Sequence, residues 1–181
     1  MTRIHSFAPI ARRDARVLIL GSVPGIKSLE MLEYYAHPRN AFWEIMAALC
    51  GASRGLPYAQ RLERLQRAGI AVWDVLHSAE REGSLDSAIR HAIPNDLRGL
   101  LEACPQIELI ALNGSYAAAT FKRYARSTLE PRANVRVVTL PSTSPANARV
   151  NVEGKLEVWR NALEPVLREP VLREPASLKG A

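Results

Sequence analysis

Four short segments of the chain, VLILG at 17–21, IAVWD at 70–74, ELIALN at 108–113 and VRVVTL at 135–140, are mostly unbroken runs of Val, Ile and Leu. They lack the strict apolar–polar alternation of a half-solvated sheet and predict strands covered on both faces. Between them, apolar residues recur at three- and four-residue spacing over 41–49, 58–68, 95–103, 116–126 and 152–163, the signature of one buried helix face. Strands alternating with helices predict an α/β fold built on an open sheet. In such sheets ligands gather beyond the C-terminal strand ends, which here read GSVPG, WDVLHS, NGSYAA and PSTSPAN.

Composition narrows the class. At 181 residues the chain fits one domain with a core of its own. We expect that domain over 1–164 and a proline-containing, flexible tail over 165–181, where Pro-Val-Leu-Arg-Glu occurs twice in tandem. Prolines five residues apart exclude a continuous helix there. No apolar run approaches the roughly 20 residues of a membrane span, and no apolar segment precedes a cleavage site near the N-terminus. A cytoplasmic, non-membrane protein is expected. Cys50 and Cys104 have no C-x-x-C partner and assemble no zinc or iron–sulfur site; both read as buried thiols. The formal charge is +6, and only four of the 24 basic residues are Lys. That balance suits a polyanionic partner, or reflects a general preference for Arg.

The densest candidate chemistry is YYAHPRNAFW at 34–43, four aromatics in ten positions of a chain that is 6% aromatic. Phe42 and Trp43 open a helical pattern and read as core. Tyr34 and Tyr35 precede His37-Pro38, which biases the chain toward an extended or turn form, where a ring face can stack on a base. Asn40 stands where it can cap the following helix, and His37 is an isolated candidate acid or base. Gly21-Ser22-Val23-Pro24-Gly25 leaves a strand directly and can present backbone N–H groups, but it has neither P-loop nor G-x-G-x-x-G spacing. Asp74 reads first as a tie within its own loop and second as a catalytic group. No G-x-S-x-G elbow is present, so Ser22, Ser142 and Ser144 read as hydrogen-bonding groups rather than nucleophiles.

Taken in order, LILGSVPG, YYAHPRNAFW, GIAVWDVLHSA, LNGSYAA and LPSTSPANA resemble the uracil-DNA glycosylase superfamily, and within it the hypoxanthine-DNA glycosylase (DNA-deoxyinosine glycosylase, family 6) branch. The resemblance covers about 14–163. It implies a single-domain three-layer α/β/α architecture with a short, mostly parallel four-stranded central sheet. It further implies a monofunctional enzyme that flips a deaminated base, above all hypoxanthine, out of DNA and hydrolyses its N-glycosidic bond. Uracil and xanthine excision, and a catalytically weak nucleic-acid-binding module, are the alternatives. No cofactor and no metal are implied, and the expected partner is DNA containing deaminated bases, bound by a monomer.

The family likeness also assigns residues. Most members carry Asn or Asp at the third position of the first turn, where this chain has Val23; the branch it resembles lacks that residue too, and its catalytic Asn maps onto Asn40. An amide has no useful proton affinity near neutral pH, so Asn40 acts by aiming a water at the anomeric carbon of an oxocarbenium-like sugar. The base pocket is expected from Gly21, Ser22, Val23, Pro24, Gly25, Tyr35, His37, Asn113 and Ser142. Donors to the leaving base are sought in the backbone around Ser22, the Asn113 amide and Ser142. PSTSPANAR resembles the superfamily loop that enters the minor groove, giving a DNA-binding segment of Ser144, Pro145, Ala146, Asn147 and Arg149. Ala146 falls where the family has its wedge Leu. A plug that small implies either that Asn147 or Arg149 shares the task or that weakly paired lesions flip at little cost.

Overall fold

A computed structural model of the chain describes residues 2–129 and 134–167. Its strands are β1 (Thr2–His5), β2 (Val17–Gly21), β3 (Ile70–Asp74), β4 (Leu76–Arg81), β5 (Arg90–Pro94), β6 (Leu109–Asn113) and β7 (Arg136–Leu140). Its helices are α1 (Ile26–Met31), α2 (Phe42–Cys50), α3 (Tyr58–Arg67), α4 (Leu97–Ala103), α5 (Ser115–Tyr124) and α6 (Val152–Leu163).

The four predicted strands form one sheet in the order β3-β2-β6-β7, parallel throughout. Val17 pairs with both Ile70 and Leu109, and Leu109 with Arg136. β2 and β3 are buried along their whole length, as unbroken aliphatic runs require once helices cover both faces of the sheet. The result is the expected three-layer α/β/α domain. Predicted and observed helices differ by up to two residues at their ends; α4 starts late because the Asp96 carboxylate accepts the Gly99 N–H at 3.0 Å and caps it.

The aromatic decapeptide is divided between scaffold and site. Phe42 and Trp43 are fully buried and meet edge to face, and Phe42 meets Trp159 of α6 in the same way. Burial of each large ring stabilises the domain by roughly 2–3 kcal/mol. Trp43 also tethers the turn ahead of it, its indole N–H donating to the Tyr34 carbonyl at 2.9 Å. The Tyr58 hydroxyl accepts the Tyr34 N–H at 2.9 Å, and Arg61 reaches Glu33 at 2.8 Å while its guanidinium lies over the Trp43 ring. Residues 33–35 are thereby held down on α2 and α3.

Two features of the fold are absent from the sequence pattern, the short helix α1 and a second sheet. β1, β4 and β5 form a separate antiparallel sheet in the order β1-β4-β5. Only Val75 separates β4 from β3, so the chain passes directly from one sheet to the other; the Val75 N–H donates to the Gly21 carbonyl at 2.9 Å at the crossing. A second, small core of Val23, Leu76, Ala79 and Ile89 fills the junction. Cys50 and Cys104 are buried thiols, as expected. Val166, beyond α6, is buried in the main core; most of the tandem repeat, from residue 168 on, lies outside the described residues. Among the described residues no helix is long and apolar enough to cross a membrane.

Candidate active site

Because all four strands of the main sheet run the same way, the loops that follow them open at one end. There they surround a cavity of about 1010 Å³. Residues from the exits of all four strands, from 34–40, from 81–87 and from α6 meet in it. Every site residue predicted from the sequence lines the cavity except Gly21. Gly21 acts by close approach instead: a Cβ there would lie 2.7 Å from the Asp74 carboxylate and 3.2 Å from the Tyr35 hydroxyl, so only glycine lets both groups reach the strand end.

Asn40 caps the start of α2 from one residue outside the N-cap position, Ala41, whose own side chain makes no cap bond. The Asn40 Oδ1 accepts the Phe42 N–H at 3.0 Å, its own N–H donates to the His37 carbonyl at 2.9 Å, and the Ala41 N–H donates to the Thr143 carbonyl at 3.0 Å. Arg54 clamps the Asn40 carbonyl from the other side at 3.0 Å. An amide oxygen has two lone pairs, so the cap leaves one of them for a further donor. His37 accepts the Arg39 N–H through Nδ1 at 3.1 Å, which places the hydrogen of a neutral ring on Nε2. Tyr35 holds a left-handed φ of 55°, uncommon for a bulky residue. Its ring stacks on Phe42 with centroids 3.9 Å apart. Its hydroxyl is buried and, among the described residues, meets no hydrogen-bond partner within 3.5 Å; burial and then the Asp74 charge raise the phenol, against the pull of the nearby Asn113 side chain.

Val23 is buried and belongs to the small core, so an apolar anchor occupies the turn position to which the sequence resemblance maps the Asn or Asp of most superfamily members. Pro24 accepts from the Arg81 guanidinium through its carbonyl, and Gly25 caps α1 in an extended conformation. The Ser22 hydroxyl donates to Asp86 at 2.7 Å. Asn113 faces Thr143, donating to its Oγ1 and accepting its N–H, both at 2.9 Å. Its amide therefore fixes the loop after β7 and retains one N–H for a ligand. Gly114 follows with φ 99°, and a Cβ there would lie 2.8 Å from the Ser142 Cβ; glycine is required on both counts.

The 142–149 segment is an ordered loop. Ser142 Oγ accepts the Ser144 N–H at 3.2 Å, Ser144 Oγ accepts the Ala146 N–H at 3.3 Å, and the Asn147 amide donates to the Ser142 carbonyl at 3.2 Å. The buried Lys155 ammonium secures the Asn147 carbonyl at 2.8 Å. Pro145 is half-buried on this lip, and Ala146 and Arg149 are exposed.

Two groups of residues that were not assigned to the site from sequence also line the cavity. Asp74 is 3% exposed and accepts the Ser6 hydroxyl at 2.8 Å, with the Ser6 Oγ lying 3.5 Å from the Tyr34 hydroxyl. Burial pushes its carboxyl up to about 7, against the opposing pull of the Ser6 and Tyr34 hydroxyls. The Tyr34 phenol is raised by burial and then by the Asp74 charge. The second group is the segment between β4 and β5, where Arg81, Ser84, Leu85, Asp86 and Ser87 form one wall. Burial raises the Asp86 carboxyl, against its bond from Ser22 and the nearby Arg81. Ser6, 68 residues from Asp74, gave no local signal; an Asp at a strand exit did.

Comparison with known proteins bears on the family. The family profile described as "Uracil DNA glycosylase superfamily" matches residues 8–163. A Methanosarcina acetivorans protein named hypoxanthine DNA glycosylase is 33% identical over 146 residues, spanning 80% of this chain and 89% of the relative. A Methanosarcina barkeri protein of the same name is 36% identical over 111 residues, 61% of this chain and 70% of the relative. A solution NMR structure from M. acetivorans, provisionally named a uracil DNA glycosylase, superposes with a TM-score of 0.73 at 30% identity, covering 89% of this chain and 99% of that one.

Proposed function

Because this chain belongs to the uracil DNA glycosylase superfamily, we propose that it is a cytoplasmic, monomeric, monofunctional DNA glycosylase that excises hypoxanthine from DNA and leaves an abasic site. The observation that carries this reading is the convergence of Tyr35, His37, Asn40, Asn113 and Ser142 on a single cavity at the strand ends. The two relatives named for hypoxanthine excision support the choice of base.

In this mechanism the deoxyinosine nucleotide rotates out of the stack into the cavity. The glycosidic bond breaks largely ahead of attack, leaving an oxocarbenium-like sugar. Asn40, its Oδ1 fixed by the Phe42 N–H, accepts a hydrogen bond from water on its second lone pair and aims that water at the anomeric carbon. No base stronger than an amide is needed, because the attacked centre is already cationic and lies among DNA phosphates. The departing purine takes hydrogen bonds from the free N–H of Asn113 and from the Asp74 carboxyl. Asp74 holds its proton up to about pH 7 and so can donate one, as other carboxylic acids in apolar sites do. Arg149, exposed on the lip, meets the phosphate backbone.

The test is incubation with end-labelled oligonucleotides carrying one deoxyinosine, deoxyuridine or deoxyxanthosine, followed by alkaline cleavage of abasic sites. Strand scission at deoxyinosine, reduced at least about 100-fold in Asn40→Ala, is expected. Full activity in that variant refutes the role of Asn40. Scission only at uracil or xanthine moves the substrate within the superfamily, and none on any lesion leaves a binding module.

A further inference from the structure

The cavity has two lips. One is the 144–149 segment; the other is the 84–87 segment that follows β4. At the crest of the second stands Leu85, 61% exposed. A single exposed leucine is ordinary on a protein surface, but this one is rigidly mounted. Ser84 Oγ accepts the Ile26 N–H at 3.1 Å on one side, and Asp86 accepts the Ser22 hydroxyl at 2.7 Å on the other. Behind it the buried Arg81 donates to the carbonyls of Gly83 and Pro24. Leu85 itself is extended, with φ −80° and ψ 129°, and leads into the short 3-10 turn Asp86–Ala88. The chain is thus pinned before and after a large apolar side chain that it leaves in solvent. Ile26, 46% exposed, lines the cavity beside it.

The opposite lip offers no large apolar side chain so exposed, since Pro145 there is half-buried. Ala146 presents a single methyl group, and the neighbouring Asn147 amide is bound to the Ser142 carbonyl at 3.2 Å, so it is not free to plug a gap. Removing a base from a duplex leaves a gap, and proteins that open base steps insert Leu, Ile, Met, Phe or Pro there. We propose that Leu85 is the wedge that enters the duplex as the lesion leaves it, a task that moves from the 144–149 lip to the opposite one. The inference rests on the glycosylase reading above. It makes Leu85 a specificity-determining residue for paired lesions, because a base in a single strand has no partner to be displaced from.

The experiment compares kcat/KM for hypoxanthine release from deoxyinosine in a single strand and opposite cytosine in a duplex, for the wild type, Leu85→Ala and Leu85→Met. The duplex-to-single-strand ratio is expected to fall about tenfold or more in Leu85→Ala, since opening a step costs a few kcal/mol. It should stay within about threefold of wild type in Leu85→Met, an insertion-competent side chain. A 2-aminopurine placed next to the lesion should lose its binding-induced fluorescence rise in Leu85→Ala. An unchanged ratio in Leu85→Ala, or equal losses on both substrates, overturns the wedge. Failure of the wild type to release hypoxanthine from either substrate overturns the glycosylase reading itself, and is told apart because it appears before any substitution.

Discussion

Replacing Asp74 with Asn is the sharpest perturbation of this site. The carboxyl is nearly inaccessible, makes no ion pair among the described residues, and is held by a hydroxyl rather than a cation. Its folded value of about 7 lies roughly three units above an unfolded value of about 3.9, and each unit corresponds to about 1.4 kcal/mol. Below pH 4 both states are protonated. Between pH 4 and 7 the folded state keeps a proton that the unfolded chain has released, so stability falls as pH rises. The loss from this group between pH 5 and 8 comes to about 3 kcal/mol. Asn keeps the shape and an acceptor for Ser6 but does not titrate. Urea denaturation followed by tryptophan fluorescence at pH 5, 6, 7 and 8 should therefore show the wild type losing about 3 kcal/mol more than Asp74→Asn across that range. Asp86 contributes with the same sign in both proteins and cancels in the comparison. The same carboxyl predicts a fall in wild-type kcat/KM above about pH 7 that Asp74→Asn lacks. Parallel pH dependences of stability in the two proteins would refute a buried, proton-holding Asp74.

Two further substitutions separate scaffold from site. Tyr35→Phe removes a buried hydroxyl that meets no partner among the described residues while keeping the stack on Phe42, so it should leave stability unchanged or raise it by about 1 kcal/mol yet slow excision. Thermal melting beside the oligonucleotide assay checks this, and a drop above about 1 kcal/mol would show that the hydroxyl is bonded. Asn113→Ala breaks both 2.9 Å bonds to Thr143 and should cost about 1–3 kcal/mol. Protease cleavage within residues 142–149 should become faster, which limited proteolysis followed by mass spectrometry detects.

The central sheet was legible because its strands are apolar runs rich in Val, Ile and Leu; β2 and β3 are buried along their whole length and β6 nearly so, whereas the edge strand β7 buries only Leu140. The smaller sheet was not. β1 and β5 are almost entirely solvent-facing, and β4 buries Ser78 and Arg81 among its apolar residues, so no period-two apolar signal survives. Phe42 and Trp43 could be placed in the core from helical spacing, whereas the double duty of Tyr35, stacked on Phe42 yet lining the cavity, depends on a left-handed turn that no residue type announced. The Asp74 site stayed ambiguous for a different reason. Its meaning lies in what surrounds it, and Ser6, Tyr34 and Gly21 reach it from three other segments.

Val23 and Asp74 bear on the same question. β2 and β3 pair Gly21 with Asp74 across the sheet, so the two strands deliver the first turn and this carboxyl to the same cavity wall. At the turn, the position to which the sequence resemblance maps the Asn or Asp of most superfamily members is occupied by a side chain anchoring the small sheet through Leu76, Ala79 and Ile89. On that mapping the turn offers no side chain to activate a water. On the adjacent strand, burial lets the Asp74 carboxyl hold a proton up to about pH 7, one it can donate below that pH. A purine leaving group has ring atoms that accept such a hydrogen bond, and leaving-group assistance lowers the barrier to an oxocarbenium-like state as surely as a better nucleophile does. On the proposed reading, the chain has shifted its chemistry from activating the water to assisting the departing base, which is why an amide at Asn40 suffices.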